Sequence, residues 1–209
     1  MSGFYKNIGW SAQPRSKYEL QEEMKKRIQR GQYNLNDIDT SKITDMSYLF
    51  FCCDYVKDID KIDISFWDTS RVTSMEFMFS CCYKFNSDIS RWDVSNVQNM
   101  QGMFESCRHF NGDLSKWNVN NVQNMSCMFM NCTSFNSDIS NWDVSNVQNM
   151  QSMFYNCENF EQDLSRWNIK GSTAFPFSVF KGCFKLDEKI PDSWWSYFIK
   201  DYDIITSKE

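Results

Sequence analysis

The chain has 209 residues, 42% of them hydrophobic and 17% aromatic, with 18 Phe and 8 Trp, so it can bury a large core as one globular unit or one elongated array. Only 7 Gly and 3 Pro argue against long disordered linkers, and a formal charge of −5 makes nucleic acid an unlikely partner, since that binding draws on Lys and Arg neutralising phosphates. No apolar run approaches the roughly 18–20 residues needed to span a bilayer.

The N-terminal stretch "MSGFYKNIGWSAQPRSKYELQEEMKKR" lacks a basic region followed by an apolar segment and a small-residue cleavage site. A cytoplasmic location is therefore expected, with the cell surface or secretion as the alternative if a leader has been removed. Tyr18 to Arg30 reads as an amphipathic helix, with Leu20, Met24 and Ile28 on one stripe and charged residues elsewhere. The basic run "KKRIQR" (25–30) faces Glu19, Glu22 and Glu23 within a turn and reads as helix-surface ion pairs. This helix is expected to cover the first coil of a repeat array that begins near residue 37.

Three nearly identical copies begin at Phe85, Phe110 and Phe135, "FNSDISRWDVSNVQNMQGMF", "FNGDLSKWNVNNVQNMSCMF" and "FNSDISNWDVSNVQNMQSMF", a period of 25 residues. Trp recurs at 67, 92, 117, 142 and 167, Val at 72, 97, 122 and 147, and Met at 75, 100, 125 and 150. A fixed period of this size marks a solenoid, in which one unit cannot hide its apolar face alone and stability comes from stacking. Met75, Met78, Phe79 and Cys82 are spaced i, i+3, i+4, i+7, and the same set recurs in the next three units; this spacing predicts a short helix. Ser74, Asn99, Asn124 and Asn149 precede the first Met as helix caps would, as does Asp45 before Met46. The L-x-x-L-x-L spacing of Ile89, Trp92 and Val94 predicts a strand in each "WDV" or "WNV". The fold expected is thus α/β: a leucine-rich-repeat-like solenoid with one short parallel β-strand and one short helix per repeat.

The segment "DIDTSKITDMSYLF" (37–50) matches "SFWDTSRVTSMEFMF" (65–79) at an offset of 29, placing a four-residue insertion within 52–63. At the far end "FSVFKGCFKLDEKIPDSWW" is a decayed copy, and "WWSYFIKDYDII" (194–205) reads as an aromatic C-terminal cap or a dimer contact, leaving monomer and dimer both open. The organisation expected is an N-terminal segment with its capping helix (1–36), the repeat solenoid (37–170) and a degenerate repeat with cap (171–209), all one structural domain.

These units, preceded by "LNDIDTSKITDMSYLF", resemble the BspA-like leucine-rich-repeat family, the bacterial surface-protein or lipoprotein repeat of about 26 residues. The resemblance covers roughly residues 18 to 170. It implies an α/β solenoid that binds other macromolecules, often at the cell surface, and implies no common enzymatic activity.

Chemistry-bearing residues give little else. The 9 cysteines are odd in number, form no CxxC pair, and four (Cys82, Cys107, Cys132, Cys157) recur in register. They read as small buried hydrophobes in a stack, which also suits a reducing compartment. Cys127 sits in a slot held elsewhere by Phe77, Gly102 and Ser152, and His109 in a tolerant slot shared with Lys84, Ser134 and Asn159. The aspartates at 63, 88, 113, 138 and 163 could suggest calcium, but the Gly-rich nonapeptide of such sites is missing, so capping of backbone groups is expected, as it is for the Asn columns 86/111/136 and 96/121/146. The Met columns read as core. No enzyme, cofactor or metal is expected.

The outward slots of the expected strands are Phe66, Arg91, Lys116, Asn141 and Arg166 in one column and Asp68, Asp93, Asn118, Asp143 and Asn168 in the other. They vary while the inward anchors barely change, which nominates the concave face as partner-binding. The function expected is a non-catalytic protein–protein interaction module, a repeat scaffold acting as a cytoplasmic effector or inhibitor, with a surface-exposed or secreted adhesin-like protein as the alternative.

Overall fold

Apolar residues at a fixed period must stack on their counterparts to leave water, and they do. The structure, a computed structural model, describes residues 9–52, 58–169 and 179–186. The C-terminal segment 194–205, expected as a cap, lies outside them.

Helix α1 spans Lys17–Gln29, one residue earlier at each end than the sequence predicts. Ser16 caps it by accepting from the Glu19 N–H at 3.3 Å, and Glu19 reaches back to the Arg15 N–H at 2.8 Å. Leu20, Met24 and Ile28 are buried against the first coil. Arg27 is buried too, its guanidinium held by Glu23 at 2.8 Å and by Asp37 and Ser11, which fixes α1 to the first coil.

Beyond α1 the expected helices and strands are not there. Among the described residues α1 is the sole α-helix, and the coils meet through isolated parallel bridges, Asp45↔Ser74↔Asn99↔Asn124↔Asn149, instead of a sheet. The α/β leucine-rich-repeat solenoid expected from spacing is therefore corrected to a stack of coils wound almost entirely from turns.

The physical reason lies in where the amides go. In an α-helix the Phe79 N–H would donate to the Met75 carbonyl. Instead the amides of Met75, Phe77, Phe79 and Cys81 all donate to the next coil, to the carbonyls of Asn99, Gln101, Met103 and Glu105, at 2.8–2.9 Å. The amides between them close tight turns, Met78 to Met75 at 3.2 Å and Cys82 to Phe79 at 2.9 Å. Phe77 and Cys81 take φ of +49° and +64°, the positive value that a type II turn needs at its third residue. The pattern i, i+3, i+4, i+7 buries the same side chains in two consecutive turns as in a helix, so the spacing could not separate them. The capping chemistry had the same ambiguity. Asn99, Asn124 and Asn149 do accept a backbone N–H, but from the residue two further on, as in an Asx turn.

The "WDV" segments fail as strands for a related reason. Trp92 N–H donates to the Ile89 carbonyl at 3.1 Å and Val97 N–H to Val94 at 2.9 Å, so a turn closes at each side. Their in–out alternation nevertheless holds, with Trp92 and Val94 buried and Asp93 exposed.

The core is a set of ladders. The rings of Phe50, Phe79, Phe104, Phe129, Phe154 and Phe180 stack in succession with centroids 5.2–5.7 Å apart. Trp142 lies nearly parallel to Trp117 at 6.5 Å and to Trp167 at 6.3 Å. Every repeat Trp donates its indole N–H to a carbonyl of the preceding coil at 3.0–3.2 Å. The thiols of Cys82, Cys107, Cys132, Cys157 and Cys183 do likewise at 2.8–3.0 Å. Along the repeats the accepting carbonyl also closes its own turn: Ile89 takes both Trp92 N–H and Trp117 Nε1–H, and Phe79 takes both Cys82 N–H and Cys107 Sγ–H. One carbonyl with two lone pairs thus stitches a turn shut and ties it to the next coil. The register cysteines are buried, as the sequence suggests, but they are also donors, which it does not reveal.

Phe180 and Cys183 continue the Phe and Cys ladders, so the decayed copy remains part of the stack. Cys52 and Cys81 still correspond, their amides donating to Ser80 and Glu105, and Ser87 Oγ donates to the Ile62 carbonyl at the ordinary offset. The insertion accordingly falls between Cys52 and Ile62, inside the segment proposed from sequence and beside the short 3₁₀ turn Ile59–Lys61.

Candidate partner-binding face

The two outward columns expected to bind a partner do lie on the surface, on a face made of turns and not on a concave sheet. Phe66, Arg91, Lys116, Asn141 and Arg166 are all exposed. Neighbours in this column touch: the Arg91 guanidinium sits 5.2 Å above the Phe66 ring, and Arg166 Nη1 donates to Asn141 Oδ1 at 3.1 Å.

The second column serves the backbone. Oδ1 of Asp68, Asp93 and Asp143 accepts the amide two residues on, from Ser70, Ser95 and Ser145, each at 3.0 Å, and Asn118 accepts from Asn120 at 3.2 Å. The alternation of Asp with Asn here follows from that role, because both offer the same oxygen. Asn168 is exposed. Of the two columns, the first therefore keeps its side-chain ends available for a partner.

The aspartate column does the same capping. Asp88, Asp113, Asp138 and Asp163 accept from the amides of Ser90, Ser115, Ser140 and Ser165 at 2.8–3.0 Å. The hydrogen bonds from Ser115 and Ser140, side chain and backbone, hold the Asp113 and Asp138 carboxyls below the usual range. Asp88 lies low because of Ser90 and, less, Arg91. This carboxylate column thus runs beside the cations Arg91, Lys116 and Arg166, three residues on, giving a face of alternating sign. Among the described residues no group of three or more His, Cys, Asp and Glu is placed to hold a metal ion.

The Asn columns link coils as expected. Asn96, Asn121 and Asn146 donate side-chain N–H to a carbonyl of the preceding coil at 2.6–2.8 Å, while Asn86 and Asn111 accept the amides of Asn111 and Asn136. His109 is exposed. Cys127 is half-buried, and burial, then the nearby Glu105 carboxylate, pushes its thiol up, away from thiolate reactivity.

Sequence reasoning missed one surface feature: the rings of Tyr48, Phe51 and Phe77 cluster on the outside of the first coils. The sequence signals only the backbone there, since Phe77 shares a slot with Gly102, and a glycine in a column of side chains marks a left-handed position.

Fold and surface together define a repeat protein whose side chains are committed to stacking on the inside and to capping and contact on the outside. The chain belongs to the family described as "Mycoplasma protein of unknown function, DUF285", which matches residues 19–132 and, overlapping, 89–195. No curated protein and no solved structure matches it. Among the described residues no helix is long and apolar enough to cross a membrane.

Proposed function

We propose that the chain is a non-catalytic protein–protein interaction module, a stacked scaffold that presents a partner-specific column of side chains in the cytoplasm as an effector or inhibitor of another protein. The observation that carries this reading is the division of labour within each coil. Trp, Phe, Met, Val and Cys are fixed by the core ladders and Asp, Asn and Ser by the turns, while Phe66, Arg91, Lys116, Asn141 and Arg166 differ in size and charge and stay exposed. A solvent-facing column that varies on a rigid stack is how such a scaffold acquires specificity. The resemblance of the repeat to BspA-like proteins supports a macromolecular partner. The thiol hydrogen bonds of the Cys ladder exist only in the reduced form, which supports a reducing compartment.

The test is a quantitative comparison of proteins retained by immobilised wild type and by Arg91→Glu/Lys116→Glu. Loss of a specific partner from the variant, with an unchanged unfolding midpoint, supports the column as the interface. An identical set of partners on both removes it.

A further inference from the structure

Three of the exposed aromatic rings carry a cation, while Phe184, 66% exposed, has none among the described residues. Lys17 lies 5.9 Å from the Tyr18 ring centre, Arg91 5.2 Å from Phe66 and Arg108 5.2 Å from Tyr83. Half-buried Tyr33 and Tyr155 have Lys61 and Lys181 at 5.6 and 5.9 Å. A ring face carries negative electrostatic potential, and a cation is its natural cover.

Tyr48, Phe51 and Phe77 also lack a cation and, unlike Phe184, pack against one another. Tyr48 stacks on Phe77 with centroids 5.4 Å apart and meets the edge of Phe51 at 5.5 Å. Tyr48 and Phe51 remain 42% and 43% exposed, and no described cation covers any of the three rings. Glu76 beside Tyr48, and Glu105 on the coil after Phe77, are also without cations. Glu76 takes only the Tyr48 hydroxyl at 3.1 Å and the Asn99 amide at 3.3 Å, and Glu105 takes the Ser80 hydroxyl at 3.3 Å. Neither forms an ion pair among the described residues.

The backbone adds an independent observation. Tyr48 and Phe77 have φ of +60° and +49°, a region where a bulky residue is strained, and the same slot in later coils holds Gly102, Cys127 and Ser152. Smaller residues satisfy the turn equally well, so the fold does not require aromatics there.

We propose that Tyr48, Phe51 and Phe77, with Glu76 and Glu105, form a docking site for a basic segment of a partner protein, whose Arg or Lys side chains cover the rings and pair with the two carboxylates. This rests on reading the chain as an interaction module but uses a different surface from the Arg91/Lys116 column. It predicts a partner chemistry of opposite sign to that favoured by the column's own cations.

The repeat itself supplies substitutions that keep the fold. Serine already occupies the Tyr48/Phe77 slot at Ser152 and the Phe51 slot at Ser80, while glutamine occupies the Glu76 slot at Gln101 and serine the Glu105 slot at Ser80. The probes are labelled peptides of alternating Gly and Arg, and of alternating Gly and Glu, titrated by fluorescence anisotropy at low salt. Wild type should bind the Arg peptide saturably and the Glu peptide not at all. Tyr48→Ser/Phe51→Ser/Phe77→Ser should weaken the Arg peptide about tenfold or more. Glu76→Gln/Glu105→Ser should weaken it severalfold and flatten its salt dependence. Arg91→Glu/Lys116→Glu should leave it intact, which separates this site from the column interface. Equal binding by wild type and the triple Ser variant overturns the proposal. So does a preference for the Glu peptide, or a triple variant that only converts a dimer to a monomer in sedimentation, which would make the patch a self-association surface.

Discussion

Replacing Trp142 by Phe isolates the tie between coils from the ring stack that surrounds it. Trp142 is 3% exposed, lies parallel to Trp117 and Trp167, and donates Nε1–H to the Leu114 carbonyl at 3.0 Å. Phenylalanine preserves a flat ring in the stack and removes the donor. The Leu114 carbonyl still accepts the Trp117 amide at 3.1 Å, so no buried polar group is orphaned and the hydrogen-bond loss is the ordinary net value of about 1 kcal/mol. The partial void left by the smaller ring adds about 1 kcal/mol. A total of about 2 kcal/mol, with a urea slope of roughly 2 kcal/mol/M, lowers the unfolding midpoint by about 1 M. The assay is equilibrium urea unfolding followed by fluorescence of the remaining tryptophans, with the slope required to stay constant. A loss below about 0.5 kcal/mol would refute the view that the indole N–H anchors one coil to the next.

Other consequences concern the turns. A Cβ on Gly102, whose φ is +57°, would run into the Phe77 ring, so Gly102→Ala should cost at least about 1–2 kcal/mol, and adding Phe77→Ser should recover part of it in thermal melts. The depressed carboxyls of Asp88, Asp113 and Asp138 stabilise the folded chain above their unfolded value of about 3.9, and that contribution disappears as pH falls through the lower folded values. The unfolding midpoint should therefore be level near neutrality and drop below about pH 4. Asp113→Asn/Asp138→Asn, which keeps the accepting oxygen as native Asn118 does, should be close to neutral at pH 7 and show a shallower acid decline.

Much of the molecule can be read from its letters. Which side chains turn inward is set residue by residue, because burying Trp92, Val94, Met100, Phe104 and Cys107 is favourable in any backbone that repeats every 25 residues, and the structure buries all of them. The capping role of Asp88 follows from a side chain that seeks a backbone partner nearby, and Asn96 and Asn111, recurring at the repeat period, satisfy backbone groups of the neighbouring coil. The α1 helix was legible too, since its apolar stripe and its Glu22–Lys25, Glu23–Lys26 and Glu23–Arg27 ion pairs are local.

What the letters leave open is the route of the backbone hydrogen bonds. Every amide is the same donor whatever its side chain, and Phe79 N–H can satisfy itself on Met75 within its coil or on Met103 in the next. Only when neighbouring coils are present does the second choice become available, and with Phe77 and Cys81 held at positive φ it prevails, turning an expected helix and strand into paired turns. The exposed cluster of Tyr48, Phe51 and Phe77 was hidden for the same reason. Its members are 3 and 29 residues apart, on separate coils, and stacking alone brings their rings together.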